Sequence, residues 1–490
     1  MLFNSYEFIV FFLPICALGF FRIAATGKTR QAVIWLLVVS LFFYGYWNPP
    51  YLLLLLVSTL GNFIFGRFLL KSDIRDRTAS FLLWSGIIFN LGILGYYKYA
   101  SFFISSLNGI IGANLPTPEI LLPLGISFYS FTQIAYLVDA YKGEVKTQYD
   151  WVSYSLFVTF FPQLIAGPIL RHNELIPELQ DKKTFRFLHE NLARGLVLFI
   201  LGLSKKVLIA DSLSPWVALT FDNAHQLSFM EAWVASLSYT FQLYFDFSGY
   251  SDMAIGLGWI FNINLPWNFN SPYKAVSIID FWRRWHITLS HFLRDYLYIP
   301  LGGSRKGELR RYGNLLITML LGGLWHGAGW TFVIWGGMHG TYLCINHAWR
   351  KLNLRLPSIV GWLLTFLAVV ASWVVFRAAT LRDAVAILKA MAGFNGVVLS
   401  TSFQTVLPWL TETGLIEFRN SAELPYLPPN YRVGVMTLLM LTIVVTRLPN
   451  TTELMKAFRP SIWWTILISL LTTASLLSLN RVSEFLYFQF

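Results

Sequence analysis

Apolar runs, each about as long as a bilayer is thick, recur from one end of the sequence to the other. They fall at roughly 6–24, 31–47, 50–70, 80–105, 120–141, 151–170, 191–210, 231–261, 313–334, 334–349, 359–379, 432–448 and 461–480. A helix rises 1.5 Å per residue, so each block is long enough, or nearly so, to enter or cross the ~30 Å hydrocarbon layer. A soluble fold of this length needs polar side chains to cover it, and they are missing. Hydrophobic residues make up 56% of the 490 and charged residues 13%, where a soluble domain carries about 25% charged. Aromatic residues at 17% exclude a disordered chain. The fold class that remains is an all-α polytopic integral membrane protein.

Not every block needs to cross. The blocks at 120–141 and 231–261 carry Pro123, Asp139, Asp246, Asp252 and several glycines. Broken or re-entrant helices survive at membrane depth only when wrapped in protein or lining a wet cavity. The expectation is ten to twelve spans plus re-entrant pieces. Residues 171–190 mix charges with a helical apolar pattern and read as interfacial, and 380–430 reads as an extramembrane or surface-lying segment. No repeat, low-complexity linker or appended soluble domain stands out, so 1–490 reads as one membrane domain closed by spans in 431–490. The first residues carry Glu7, no basic residue and no small-residue cleavage site, so the first apolar block reads as retained structure rather than a signal peptide.

The net charge of +12 would point to nucleic acid in a soluble protein. Here the basic residues are spread over many loops, which is the positive-inside pattern, and no nucleic-acid partner is expected. Loops 22–30, 71–77 and 305–311 should face the cytoplasm. The 380–430 segment sets Glu412, Glu417 and Glu423 against Lys389 and Arg419, so part of it should lie outside.

Familiar soluble-enzyme motifs fail. Gly27-Lys28-Thr29 lacks the first glycine of a phosphate loop, because position 22 is Arg22. Met253 stands where a nucleophile elbow after Gly249 and Ser251 needs glycine. His286 and His291, five apart, lie about 140° apart round a helix and make a poor metal pair. Cys16 and Cys344 sit in apolar surroundings without metal spacing; His347, one turn from Cys344, is the only hint of a thiol nucleophile.

What stands out is residues 280–340. They hold four of the eight histidines, His286, His291, His326 and His339, together with Arg283, Arg284, Arg294, Arg305, Lys306, Arg310 and Arg311. His326 lies in an apolar stretch beside Trp325, and an ionisable residue inside a span is a functional hypothesis by default. Imidazole can take a proton from an alcohol near neutral pH, which suits a general base. A helix-packing histidine is the plain alternative. Gly323-xxx-Gly327 and Gly336-xxx-Gly340 allow close helix packing, and their missing side chains also leave room for a tunnel. Arg283 and Trp285 beside His286 suit an anionic ligand, or simply a positive-inside loop with interfacial aromatics. Asp246 and Asp252 either pair with arginines of that site or hold a broken helix together.

Three runs, YFDFSGYSDMAIGLG, FWRRWHITLSHFLRDYLYIPLGGSRKG and TMLLGGLWHGAGWTFVIWGGMHG, resemble the membrane-bound O-acyltransferase (MBOAT) family. The bacterial branch that acetylates exported polysaccharides is the most similar. LLPLGISFYSFTQIAYLVDAYKG, FFPQLIAGPILR and the opening LFNSYEFIVFFLPI add to the likeness, which fades after about 380. The resemblance implies an MBOAT-like core at about 100–380, with about eleven spans and re-entrant helices around a tunnel reached from both faces. It implies an acyl group arriving from the cytoplasm on a CoA-type thioester, acetyl-CoA as co-substrate, with no permanently bound cofactor and no metal. His326, in the LWHG motif, corresponds to the family's essential residue. His286, in the WHITLS motif, corresponds to its second catalytic candidate. Arg283, Trp285, Trp325, Asp246, Asp252 and His339 are candidates for the tunnel wall. The setting implied is the bacterial inner membrane, with a periplasmic SGNH-like acetyltransferase as partner. The final acceptor is an exported polysaccharide, alginate first, with cellulose or peptidoglycan as alternatives. A proton-coupled transporter or a non-catalytic secretion scaffold would be the competing classes.

Overall fold

The computed structural model describes residues 1–73, 76–354, 356–404, 416–428, 430–479 and 486. Four of its helices are long and apolar enough to cross a bilayer: Glu7–Ala25, Pro49–Leu69, Arg77–Ile111 and Ser358–Arg377. The pair Tyr431–Arg447 and Thr451–Ala457, bent by 56°, makes a fifth if it is one broken span, and Thr29–Gly45 and Ile462–Ser478 are shorter apolar helices. Their outer faces carry bare hydrocarbon. Phe11, Ile15, Leu18, Leu53, Phe81 and Ile88 are all exposed, a surface that only lipid can cover.

The first helices run up and down. Short turns join Glu7–Ala25, Thr29–Gly45, Pro49–Leu69 and Arg77–Ile111. The next helix, Ile126–Tyr141, lies antiparallel to Arg77–Ile111, because Lys98 meets Ser127 while Gly86 meets Leu137. This alternation brings the connections at 26–28, 70–76 and 142–150 to one face and those at 46–48 and 112–125 to the other. Among the described residues the first set holds Lys28, Lys71, Lys142 and Lys146; the second holds no Lys or Arg. The basic face is therefore the cytoplasmic one by the positive-inside rule. Residues 294–311 belong to it, since the Tyr296 hydroxyl donates to Asp139, near the cytoplasmic end of Ile126–Tyr141, at 2.8 Å.

Other helices are long but poor in lipid-facing surface. Phe229–Ile260 runs unbroken for 32 residues, 28 of them buried. The expectation of a broken helix over 231–261 is thus corrected. Its glycines serve close packing instead. A Cβ added at Gly202 would lie 2.5 Å from the carbonyl oxygen of Gly249, and one at Gly195 would lie 2.6 Å from that of Gly256. Two glycines seven apart on each helix, paired antiparallel, let His189–Ser204 press against Phe229–Ile260 backbone to backbone. Gly202→Leu should force them apart and cost about 1–3 kcal/mol or more. A lower unfolding midpoint of the detergent-solubilised protein is the expected reading, and an unchanged midpoint would contradict the close approach.

The two blocks at 313–334 and 334–349 divide earlier than the sequence suggests. Glu308–His326 ends at His326, Gly327 to Gly329 turn, and Trp330–Lys351 returns. Trp330 to Ile334 belong to the second helix because Gly323 accepts the backbone of Phe332 and Gly336 at the crossing; an added Cβ would meet the Phe332 carbonyl oxygen at 2.2 Å. Lys351 pairs with Glu308, and Arg311 with His347, at the cytoplasmic base of this hairpin. The 151–170 block is helical only over Trp151–Thr159 and Phe161–Leu164. Residues 171–190 form short turns of helix (His172–Leu175, Glu178–Gln180) rather than one amphipathic helix. Within 380–430, Leu381–Met391 is helical, and Val397–Ser400 pairs in parallel with Ile416–Arg419; Glu412 lies outside the described residues.

Candidate functional site

His326 is the last residue of Glu308–His326. It is buried among aromatic rings, with Trp325, Trp335 and Phe376 at 4.9, 5.1 and 5.5 Å between ring centroids. The ring of His286 lies 6.3 Å away. The two histidines singled out from sequence, forty residues apart, thus meet in space.

His286 gets there by an unusual backbone. It caps Ile287–Leu293 in the left-handed region, with φ +44° and ψ +55°, which costs a non-glycine residue of order 1–3 kcal/mol. Asn268 holds it. The Asn268 side-chain oxygen accepts from the Thr288 amide at 3.3 Å and from the Thr288 hydroxyl at 3.0 Å, and faces His286 Nδ1 at 3.1 Å. A backbone N–H can only donate, so this oxygen is an acceptor and the His286 proton sits on Nδ1. The Asn268 carbonyl also accepts from the Ile287 amide at 3.0 Å, and the Asn268 amide group donates to Ser251 Oγ at 3.4 Å. Phe247, one turn before Ser251, puts its ring 4.8 Å from His286. Phe229–Ile260 therefore supplies the floor under His286.

Two cavities lie near this pair; His326 lines the first, and Ile287, next to the buried His286, lines the second. One of about 450 Å³ is lined by Trp47, Leu121, Gly125, Lys98, Trp325 and His326 among others. It belongs to the face whose connections lack Lys and Arg. The second, about 540 Å³, is lined by Trp282, Arg283, His291, Arg294, Tyr298 and His347 with apolar neighbours. Its wall includes residues of the basic face.

The remaining sequence candidates separate. Arg283 lines the second cavity and Trp325 the first. Trp285 is packed into an aromatic cluster, 4.9 Å from Trp373 and 5.7 Å from Phe281, and lines neither. His339 also stays in that cluster. Its Nδ1 accepts from the Trp282 indole at 3.2 Å and Trp335 lies 4.8 Å away, a packing role. Asp252 pairs with Lys205 at 2.6 Å, and Asp246 with Lys206 at 2.6 Å. The pairing with arginines of 280–311 is thereby corrected. The close glycine contact presses the lysine-bearing turn against Phe229–Ile260, on a side that neither Phe247 nor Ser251 occupies.

Sequence reasoning missed Asn268 and Lys98. Asn268 sits in an irregular stretch, 262–277, that offers no pattern to read. Lys98 did carry a signal, being the one charge inside the 80–105 block.

Comparison with known proteins identifies the family. The family model for membrane-bound O-acyltransferases matches residues 140–379, a span that contains both histidines and Asn268. The chain is 47% identical over 430 residues to the peptidoglycan O-acetyltransferase of Helicobacter pylori, covering 81% of each chain. It is 40% identical to the probable alginate O-acetylase of Pseudomonas putida, in an alignment that covers all of both chains. The teichoic acid D-alanyltransferase of Bacillus subtilis is more distant, at 28% over half of this chain and 64% of its own. Relatives this similar over this much of their length leave one conclusion: the chain belongs to the membrane-bound O-acyltransferase family and is a membrane-embedded O-acetyltransferase.

Proposed function

We propose that the protein moves an acetyl group from acetyl-CoA on the cytoplasmic side of the bacterial inner membrane toward an exported polysaccharide. A periplasmic SGNH-like acetyltransferase completes the delivery. The observation that carries this reading is the meeting of His326, on the wall of the outer cavity, with His286, whose chain neighbour Ile287 lines the cavity that reaches the basic face.

A thioester with a phosphorylated carrier is anionic, and Arg283 and Arg294 in the cytoplasmic cavity suit it. The acyl group would lie against His286, whose Nδ1 proton is held by Asn268. The acceptor hydroxyl would come through the outer cavity to His326. His326 takes the hydroxyl proton as oxygen attacks the thioester carbonyl, and the sulfur leaves with the carrier. Holding both groups in place supplies much of the rate, and the positioned base adds about 10²–10⁴-fold.

Alginate is the first reading for the polymer. Peptidoglycan is the second, favoured by the 47% identical relative that bears that name. Sealed vesicles of known orientation test the arrangement. Acetyl-CoA supplied to the basic face should support transfer, and acetyl-CoA supplied only to the other face should not. A cysteine placed within 305–311 and labelled by an impermeant reagent reports the orientation. Transfer from the opposite face alone would overturn the proposal.

A further inference from the structure

The helix that ends at His326 has its last carbonyls closed by two side chains from another span. Four carbonyls at a helix C-terminus lack partners within the helix. Here the Gly327 amide reaches the Gly323 carbonyl at 3.4 Å. The other three are met from Arg77–Ile111. The Tyr99 hydroxyl donates to the Leu324 carbonyl at 2.8 Å, and Lys98 Nζ donates to those of Trp325 and His326 at 2.5 and 3.2 Å. Lys98 also donates to Ser127 Oγ at 3.1 Å, so its three protons have three partners.

This arrangement is built rather than incidental. Residues Gly95–Tyr99 form a π turn, a local widening that often marks functional sites. It lets two consecutive side chains reach one helix end. An ammonium is favoured there by the helix dipole, yet inside a span it is costly and calls for a reason. Lys98 lines the same outer cavity as His326. Its bond to the carbonyl of His326 fixes the backbone from which the imidazole projects.

We infer that Lys98, with Tyr99, is a positioning residue for acetyl transfer, holding the end of the helix so that His326 points into the outer cavity. This rests on the role proposed above for His326. The full-length protein in membranes, supplied with acetyl-CoA, tests it through two variants. Lys98→Met should lower kcat by about 10–100-fold, the scale of a ~1 Å misplacement of a reacting group, while the KM for acetyl-CoA changes little. Tyr99→Phe removes one hydroxyl, and should lower kcat by a smaller factor at an unchanged unfolding midpoint. Lys98→Arg should recover part of the lost kcat. The inference fails if both variants keep wild-type kcat, or if kcat falls only in step with the unfolding midpoint. His326→Ala measured alongside separates the two ideas. Activity in that variant removes the role of His326, whereas loss there with full activity in Lys98→Met and Tyr99→Phe removes only this inference.

Discussion

His326→Ala is expected to abolish acetyl transfer while leaving the protein at normal abundance in the membrane. The size of the loss follows from what the imidazole is asked to do. A positioned base contributes about 10²–10⁴-fold, and the substitution removes it wholly. Folding should survive. The imidazole is surrounded by Trp325, Trp335 and Phe376, and the backbone carbonyl that Lys98 holds is still present in alanine. Quantifying acetyl on the acceptor, with the variant's level in membranes beside it, checks both halves. Acetylation at wild-type level in a correctly inserted variant would remove His326 from the chemistry.

Lys206→Met should give the largest loss of stability. Lys206 is buried with Asp246 at 2.6 Å and Asp211 at 2.7 Å. Without the ammonium, two buried carboxylates lose the cation that lies between them. Removing one partner of a buried ion pair costs about 3–5 kcal/mol, much of it from the charge left behind. Asp246→Asn added to Lys206→Met should recover part of that loss. The unfolding midpoint in detergent orders the three proteins, wild type above the double variant above the single one. Equal midpoints for the single and double variants would show that Asp246 is not the stranded charge.

Much of this arrangement was legible in the residues. The motif around His326 and the one around His286 point to the same chemistry, and the apolar blocks give the solvent. Their partners were hidden for identifiable reasons. Asn268 acts through an irregular loop, and an isolated amide there looks like any turn residue. The pairing of Asp246 and Asp252 depends on Gly195, Gly202, Gly249 and Gly256, whose spacing of seven on each helix is visible but names no partner. A hydropathy scan also favours helices that touch lipid. Phe229–Ile260 is surrounded largely by protein, so its composition is free of that demand, and the turn at Gly327 is easy to misplace because apolar residues flank it on both sides. Lys98 was the readable exception, a lone charge in an apolar run.

The lysine and aspartate pairs between residues 205–211 and the long central helix also bear on how the chain is made. A charged side chain at the centre of a bilayer costs about 2.5–3.5 kcal/mol on insertion scales, and Phe229–Ile260 carries both Asp246 and Asp252. The ribosome delivers Lys205 and Lys206 first. If the two segments enter the membrane together, each carboxylate meets its ammonium on arrival. The glycine contacts then bring their backbones together as synthesis proceeds. A lysine lost from this pair would thus be felt twice, once in the finished protein and once at the translocon.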